Sequence, residues 1–302
     1  MRKFVFIFAL LLLNILVYAQ NASAIIEKLK TELKTNPDEK RTAVIYSDLT
    51  WYYSTVSIDS ALVYGRNAIQ ASQALGDSGL IAQVFSDAGA VYFRKGDFQN
   101  SQTNYLKAYN IRKARKDNKG LAKISNNLAN IYEKKQQYKA AMASFLEALE
   151  YFESVNDQKN IHVIKGNIGL ILLKIKNYEK AFSYINDAVQ YQESNNSNEE
   201  LCVSCLNLGN VYLQLKDTAN ALKMYEKSVK ACTTVGNKKG ISSGYNNIAA
   251  IRTEQKKSKA ALALYEKSQK AREELNSDLD KANFDLNLAK EYIENKNYNT
   301  AK

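Results

Sequence analysis

Apolar and small residues return along this chain in helical stripes that repeat every 40 residues. In one copy, Leu121, Ile124, Leu128, Ala129, Ile131 and Tyr132 mark one face of a helix from Gly120 to about Lys135, because steps of three and four bring side chains to one side of an α-helix. After a short polar turn, Tyr138, Ala141, Phe145, Ala148, Leu149 and Phe152 mark a second helix. The slots recur. Phe98, Tyr138, Tyr178 and Tyr298 open the second helix, and Ala141, Ala181, Ala221, Ala261 and Ala301 follow three residues on. Tyr105, Phe145, Ile185, Tyr225 and Tyr265 come next, then Ala68, Ala108, Ala148 and Ala188. Small residues let helix backbones approach, and the facing aromatic fills the space they leave.

The boundaries keep the same period. Asp77, Asp117, Asp157, Ser197, Asn237 and Ser277 are placed to cap the first helix of a pair, and Asp97, Asn177, Asp217 and Asn297 the second. Each offers a side-chain oxygen to the free N–H groups of a helix start. The pattern predicts an all-α solenoid of stacked helix hairpins, with units at about 42–81, 82–121, 122–161, 162–201, 202–241, 242–281 and an incomplete 282–302. Stacked repeats of this kind present long grooves rather than catalytic pockets. Residues 20–41 are predicted to form a capping helix and link. Ser23 to Lys30 is amphipathic, and Asn36-Pro37-Asp38-Glu39 starts the next helix with proline in its first turn. Arg252 and Ser258 stand where other units carry aromatics, so packing is expected to loosen there. The seventh unit stops within its second helix at Lys302, which predicts continuation in a longer protein.

Residues 1–19 read as a secretory leader rather than as part of the fold. Arg2 and Lys3 precede the apolar run Phe4 to Val17, and Val17-Tyr18-Ala19 supplies small residues for cleavage before Gln20. An uncleaved anchor is the alternative, although the run is short of the ~20 residues a spanning helix needs. The protein is therefore expected on the periplasmic or extracytoplasmic side of the envelope, touching a membrane only through an uncleaved leader or a missing C-terminal part. The net charge of +11 comes mostly from lysines scattered beside acids, as in Glu133-Lys134-Lys135 and Glu226-Lys227. Such a face reads as solvated, not as a nucleic-acid site.

One string carries the repeat further. An acid or amide precedes a small–apolar turn at Asp87-Ala88-Gly89, Asn127-Leu128-Ala129, Asn167-Ile168-Gly169, Asn207-Leu208-Gly209, Asn247-Ile248-Ala249 and Asn287-Leu288-Ala289. With the aromatic and alanine slots above, this resembles the tetratricopeptide repeat family in a long, 40-residue form, over roughly residues 42–302. The resemblance implies a right-handed superhelix whose concave face is lined by the first helices. Its sixth positions are then Asp87, Asn127, Asn167, Asn207, Asn247 and Asn287, and its ninth-position asparagines Asn130 and Asn210. A primary amide can pair with both N–H and C=O of an extended peptide whatever its sequence; equally, these asparagines can bond to neighbouring helices and fix the superhelix. Thirteenth positions read Arg94, Lys134, Lys174, Gln214, Glu254 and Glu294. That is either a groove graded from positive to negative or a row of solvated helix ends.

The three cysteines fall in one unit. Cys232 can meet Cys202 or Cys205 where the end of one helix passes the start of its partner, or all three can be buried thiols. A Cys-x-x-Cys pair with one further thiol lacks a fourth metal ligand. A single histidine, His162, excludes triads and multi-histidine sites within this chain, and no phosphate loop or nucleophile elbow is present. The reading is a non-catalytic module without metal or cofactor, binding a protein or peptide. The leader and the Lys-Asn-Tyr-rich composition also resemble extracytoplasmic portions of bacterial sensor histidine kinases or regulators. In that alternative, a membrane helix and an output domain would follow residue 302.

Overall fold

The computed structural model describes residues 22–273, and these are helical apart from short links. One compact unit, ending at Asn156, holds α1 (22–33), α2 (Glu39–Tyr53), α3 (Ile58–Leu75), α4 (Ser78–Lys95), α5 (Phe98–Ala114), α6 (Asn118–Lys134) and α7 (Tyr138–Ser154). A second, beginning at Asp157, holds α8 (Gln158–Lys174), α9 (Tyr178–Ser194), α10 (Asn198–Gln214), α11 (Thr218–Thr234), α12 (Lys238–Glu254) and α13 (Ser258–Glu273). Each unit is an all-α solenoid of helix hairpins, α2/α3, α4/α5 and α6/α7 in the first and α8/α9, α10/α11 and α12/α13 in the second.

The period is set in the links. A residue with positive φ recurs at every twentieth position, at Gly76, Gly96, Lys116, Gln136, Asn156, Lys176, Asn196, Lys216, Gly236 and Lys256. The residue after it serves two helices. Asp117 donates its amide to Arg112 O at 3.0 Å, closing α5, while its carboxylate accepts from Gly120 N at 2.9 Å, opening α6. Asp217 does the same between Tyr212 O, at 2.8 Å, and Asn220 N, at 3.0 Å. The 6→1 bond satisfies an orphan carbonyl and the side chain an orphan amide. Asp77, Asp97, Asp157, Asn177 and Asn237 also cap as predicted, whereas Ser197 sits at its N-cap without a side-chain bond. Ser277 and Asn297 lie outside the described residues.

Two local expectations are corrected. The helix after α1 starts at Glu39, not at Pro37, because the Asp38 carboxylate accepts from Arg41 N at 2.7 Å and takes the cap. Proline is left just outside. The hairpin carrying Arg252 and Ser258 is not loosened: Ala249, Ala261 and Tyr265 form a closed cluster, so small-to-large packing survives without those aromatics. At the N-terminal side, Ile26 and Leu29 of α1 are buried in one cluster with Ile45 and Leu49 of α2.

The first hairpin has a register of its own. Its link takes residues 54–57, one more than the 135–137 link between α6 and α7, which sets the slots of α2 39 rather than 40 residues before those of α4. Ala43 and Ala82 therefore fill the same buried slot, and Asp48, Trp51 and Tyr53 correspond to Asp87, Ala90 and Tyr92. Even the interlock is reversed. Thr50 fills the space over Gly65, where later hairpins press Tyr105 onto Gly89 and Tyr225 onto Gly209.

At one further slot four of the hairpins carry a pair, first helix to second. These are Phe85 under the Lys107 ammonium (5.1 Å), Ser125 donating to Glu147 (2.8 Å), Lys165 to Asp187 (2.6 Å) and Tyr245 under Lys267 (5.7 Å). Such contacts add little stability individually.

Candidate functional site

In the first unit, the predicted positions lie on α4 and α6. Asp87 is half-buried, and its carboxylate accepts from Ser47 Oγ at 3.0 Å and Gln83 Nε2 at 2.9 Å. Burial is the main cause that pushes its pKa up to about 6; Asp48 adds repulsion, while the two hydrogen bonds and Arg112 pull the other way. Burial raises Asp48 as well. A carboxyl with a higher pKa folded than unfolded holds its proton more tightly in the native state. The stability it confers is present at low pH and lost as pH rises from about 4 to about 6. Asp87→Asn, which restores the residue used by the later repeats, should therefore raise stability at neutral pH by about 1–2 kcal/mol, part of the shift being discounted for solvent screening. Urea unfolding of both proteins at pH 4 and pH 7 checks this: the gap should close at pH 4, and a gap unchanged with pH sinks the assignment.

Asn127 and Asn130 on α6 are half-buried and take no hydrogen bond from other described residues. The register shift brings in two residues that sequence reasoning missed, Asp48 and Trp51. Trp51 is 50% exposed at a ninth position, beneath the Arg94 guanidinium at 5.2 Å. Arg94 also donates to Ser54 Oγ, so this predicted groove cation is tethered to α2. The available signal was the string Asp48-Leu49-Thr50 ending in Tyr53, displaced by one from the period. Lys134 is exposed, 3.3 Å from Glu133.

In the second unit, Asn167 and Asn207 are half-buried on α8 and α10. Asn167 is engaged within the chain, while Asn207 takes no hydrogen bond from other described residues. Asn210 and Asn247 instead bind each other. Asn210 Oδ1 accepts from Tyr225 OH at 2.6 Å and from Asn247 Nδ2 at 3.3 Å, joining α10, α11 and α12. These bonds are of the kind the packing alternative requires, and they give the Tyr225 phenol a partner where burial also raises its pKa. Lys174, Gln214 and Glu254 are exposed, and Asn287 and Glu294 lie outside the described residues. On the same helices Val163, Leu170, Leu173, Leu206 and Leu213 are half-buried and Val203 is half-exposed, Leu206 and Leu213 packing against the cluster around Tyr225. A cavity of about 300 Å³ is walled by Leu173, Lys174, Lys176, Tyr178, Asn210, Leu213 and Gln214.

Cys202 and Cys232 are joined in a disulfide with Cα atoms 4.8 Å apart. Of the alternatives the sequence left open, the structure has Cys232 paired with Cys202 and not with Cys205. The start of α10 lies against the end of α11, and Gly240 of α12 leaves room over the sulfurs. Cys205, one turn on, remains a buried thiol that burial pushes up to about 12. His162 stacks on Tyr191 with ring centres 3.9 Å apart, and its Nδ1 lies 2.8 Å from Gln158 O. Among the described residues no group of three or more His, Cys, Asp or Glu is placed to hold a metal.

Hairpins of this size, with small and large residues interlocked and the first-helix faces left half open, define a helical repeat protein. The chain belongs to the tetratricopeptide repeat family, whose model matches residues 80–154, 160–234 and 199–274. The narrower likeness to sensor kinase portions does not follow from that match. Solved structures similar in fold include the apo form of the quorum sensor NprR from B. thuringiensis, at a TM-score of 0.72 and 15% identity over 97% of this chain and 83% of that one. Apo RapI follows at 0.70 and 18%, covering 86% and 93% respectively. Aspartyl phosphate phosphatase F from Bacillus subtilis gives 0.68 and 19%, covering 90% and 71%. None of the curated proteins matches the chain.

Proposed function

We propose that this chain is a non-catalytic module that binds extended protein or peptide segments along its first-helix faces. The observation that carries this reading is Asn127 and Asn207. They occupy the same repeat slot in the two units, half-buried and without a partner among the described residues. Each offers two donors and an acceptor to a peptide backbone. Amide bonds of about 0.5–1.5 kcal/mol each do not outweigh an association cost of about 4–15 kcal/mol, so apolar contacts must add to them. Trp51 in the first unit and Val203 in the second are exposed for that purpose. The quorum sensor among the fold relatives fits a recognition role. Export is part of the proposal, supported by the leader-like residues 1–19 and by a disulfide that suits an oxidising compartment.

Peptides selected from a random display library on the immobilised protein test the reading. Asn127→Ala and Asn207→Ala should each weaken the selected peptides that use their unit by about 2–10-fold, with helicity and melting unchanged. Melting lowered in both variants, with affinity intact, would assign these asparagines to packing instead.

A further inference from the structure

Two neighbouring hairpin tips in the second unit carry an exposed apolar residue at the same helix-ending position. The residue that ends the first helix of a hairpin is Lys135 after α6 and Gln255 after α12, but Ile175 after α8 and Leu215 after α10. Ile175 is 50% exposed and Leu215 38%. Each is followed by a lysine at the positive-φ position, Lys176 and Lys216. Neither lysine is paired with a carboxylate among the described residues. Between the two tips opens the cavity of about 300 Å³, with Leu173, Leu213 and Tyr178 as apolar wall and Asn210 on its floor. Exposed apolar side chains at loop tips, ringed by unneutralised cations and set beside a recess, mark an interaction surface.

We propose that this edge docks an extended segment in which an apolar side chain is flanked by acidic residues. The inference rests on the peptide-binding reading above and adds which sequence is preferred and where it enters. The apolar side chain fills the recess between Leu173 and Leu213. Ile175 and Leu215 cover its flanks, and the neighbouring carboxylates lie against Lys176 and Lys216. Charge fixes the partner's sign, since a basic segment would meet two unneutralised ammonium groups. A lipid surface shares the anionic and apolar chemistry, but the feature is a walled recess of about 300 Å³ rather than a flat apolar face.

The library selection reads this directly. Peptides enriched on the wild-type protein should carry Leu, Ile, Phe or Met between Asp or Glu residues. For one such synthetic peptide, followed by fluorescence anisotropy, Lys176→Glu with Lys216→Glu should lower affinity at least about tenfold. Added salt should weaken the wild-type complex and not that of the variant. Ile175→Ser with Leu215→Ser should lower affinity by about fivefold. All four side chains lie in exposed links, so circular dichroism melts should stay at the wild-type value. Enriched peptides without acidic bias, or affinity untouched by the lysine changes while Asn207→Ala still weakens it, overturn the docking edge and leave peptide binding standing. Binding to phosphatidylcholine–phosphatidylglycerol vesicles with no enriched peptide overturns both.

Discussion

Replacing Cys202 and Cys232 by serine should lower the stability of the second unit by about 3–4 kcal/mol. The bond closes a loop with a sequence separation of 30, and the chain-entropy cost of leaving a loop of that length open in the unfolded state is of that order. The native side of the balance is already arranged around the sulfurs. A Cβ on Gly240 would fall 2.4 Å from Cys232 Sγ and 2.7 Å from Cys202 Sγ, and Ser228 Oγ donates to Cys202 O at 2.6 Å. One covalent bond thus holds α10 to α11 and supports the first turn of α12. Urea unfolding with and without reductant measures the effect. The wild type should lose stability on reduction, the double serine variant should not respond, and Cys205→Ser should respond as the wild type does, because its buried thiol stays protonated. Thiol counting under denaturing, non-reducing conditions should give one free group. Three free groups, or no response to reductant, would refute the bond.

Truncating Tyr225 should be comparably severe. Its side chain is fully buried, within a cluster that includes Ala221, Val229, Ile248 and Ile251. The ring lies so close over Gly209 that a Cβ there would meet it at 2.5 Å. Tyr225→Ala should cost about 3–5 kcal/mol, the range for removing a large aromatic from a packed core. Tyr225→Phe is the more informative change. It keeps the packing and removes only the hydroxyl that donates to Asn210 Oδ1, and should cost about 1–2 kcal/mol. If Asn210 and Asn247 serve packing, Asn210→Ala should cost at least as much, since it also removes the longer Asn247 bond, and adding Tyr225→Phe to it should cost little further, because the phenol–amide bond is already gone. Fully additive losses would show that the phenol and the amide act independently.

Much of the fold was legible because its determinants are local. The cap residues Asp97, Asp117 and Asp217 each bond an amide three residues ahead, so spacing alone reveals them. The 40-residue period is twice the interval between positive-φ links, a backbone regularity written directly into sequence distance. A displaced register was harder to see. One extra link residue after α2 moved Asp48 and Trp51 out of the period, and a search at fixed spacing passed over them. The candidate site was legible only as a set of slots. Six acids or amides at equal spacing looked equivalent, yet Asp87 is held by Ser47 and Gln83, Asn247 is tied through Asn210 to Tyr225, and Asn127 and Asn207 take no partner among the described residues.

The sequence by itself determined that this is a family of helix hairpins, where each helix starts, and which residues are small or large at the interlock. These follow from interactions within a few residues and from a period that copies them. Only the tertiary structure decided which amides remain free, which cysteine partners Cys232, and where an apolar recess opens between two hairpin tips. Each of those depends on side chains brought together from different helices: Tyr225 reaching Asn210, Gly240 making room over a disulfide, Leu173 facing Leu213. Residues alike in sequence separate in role because their neighbours in space are not copied with the period.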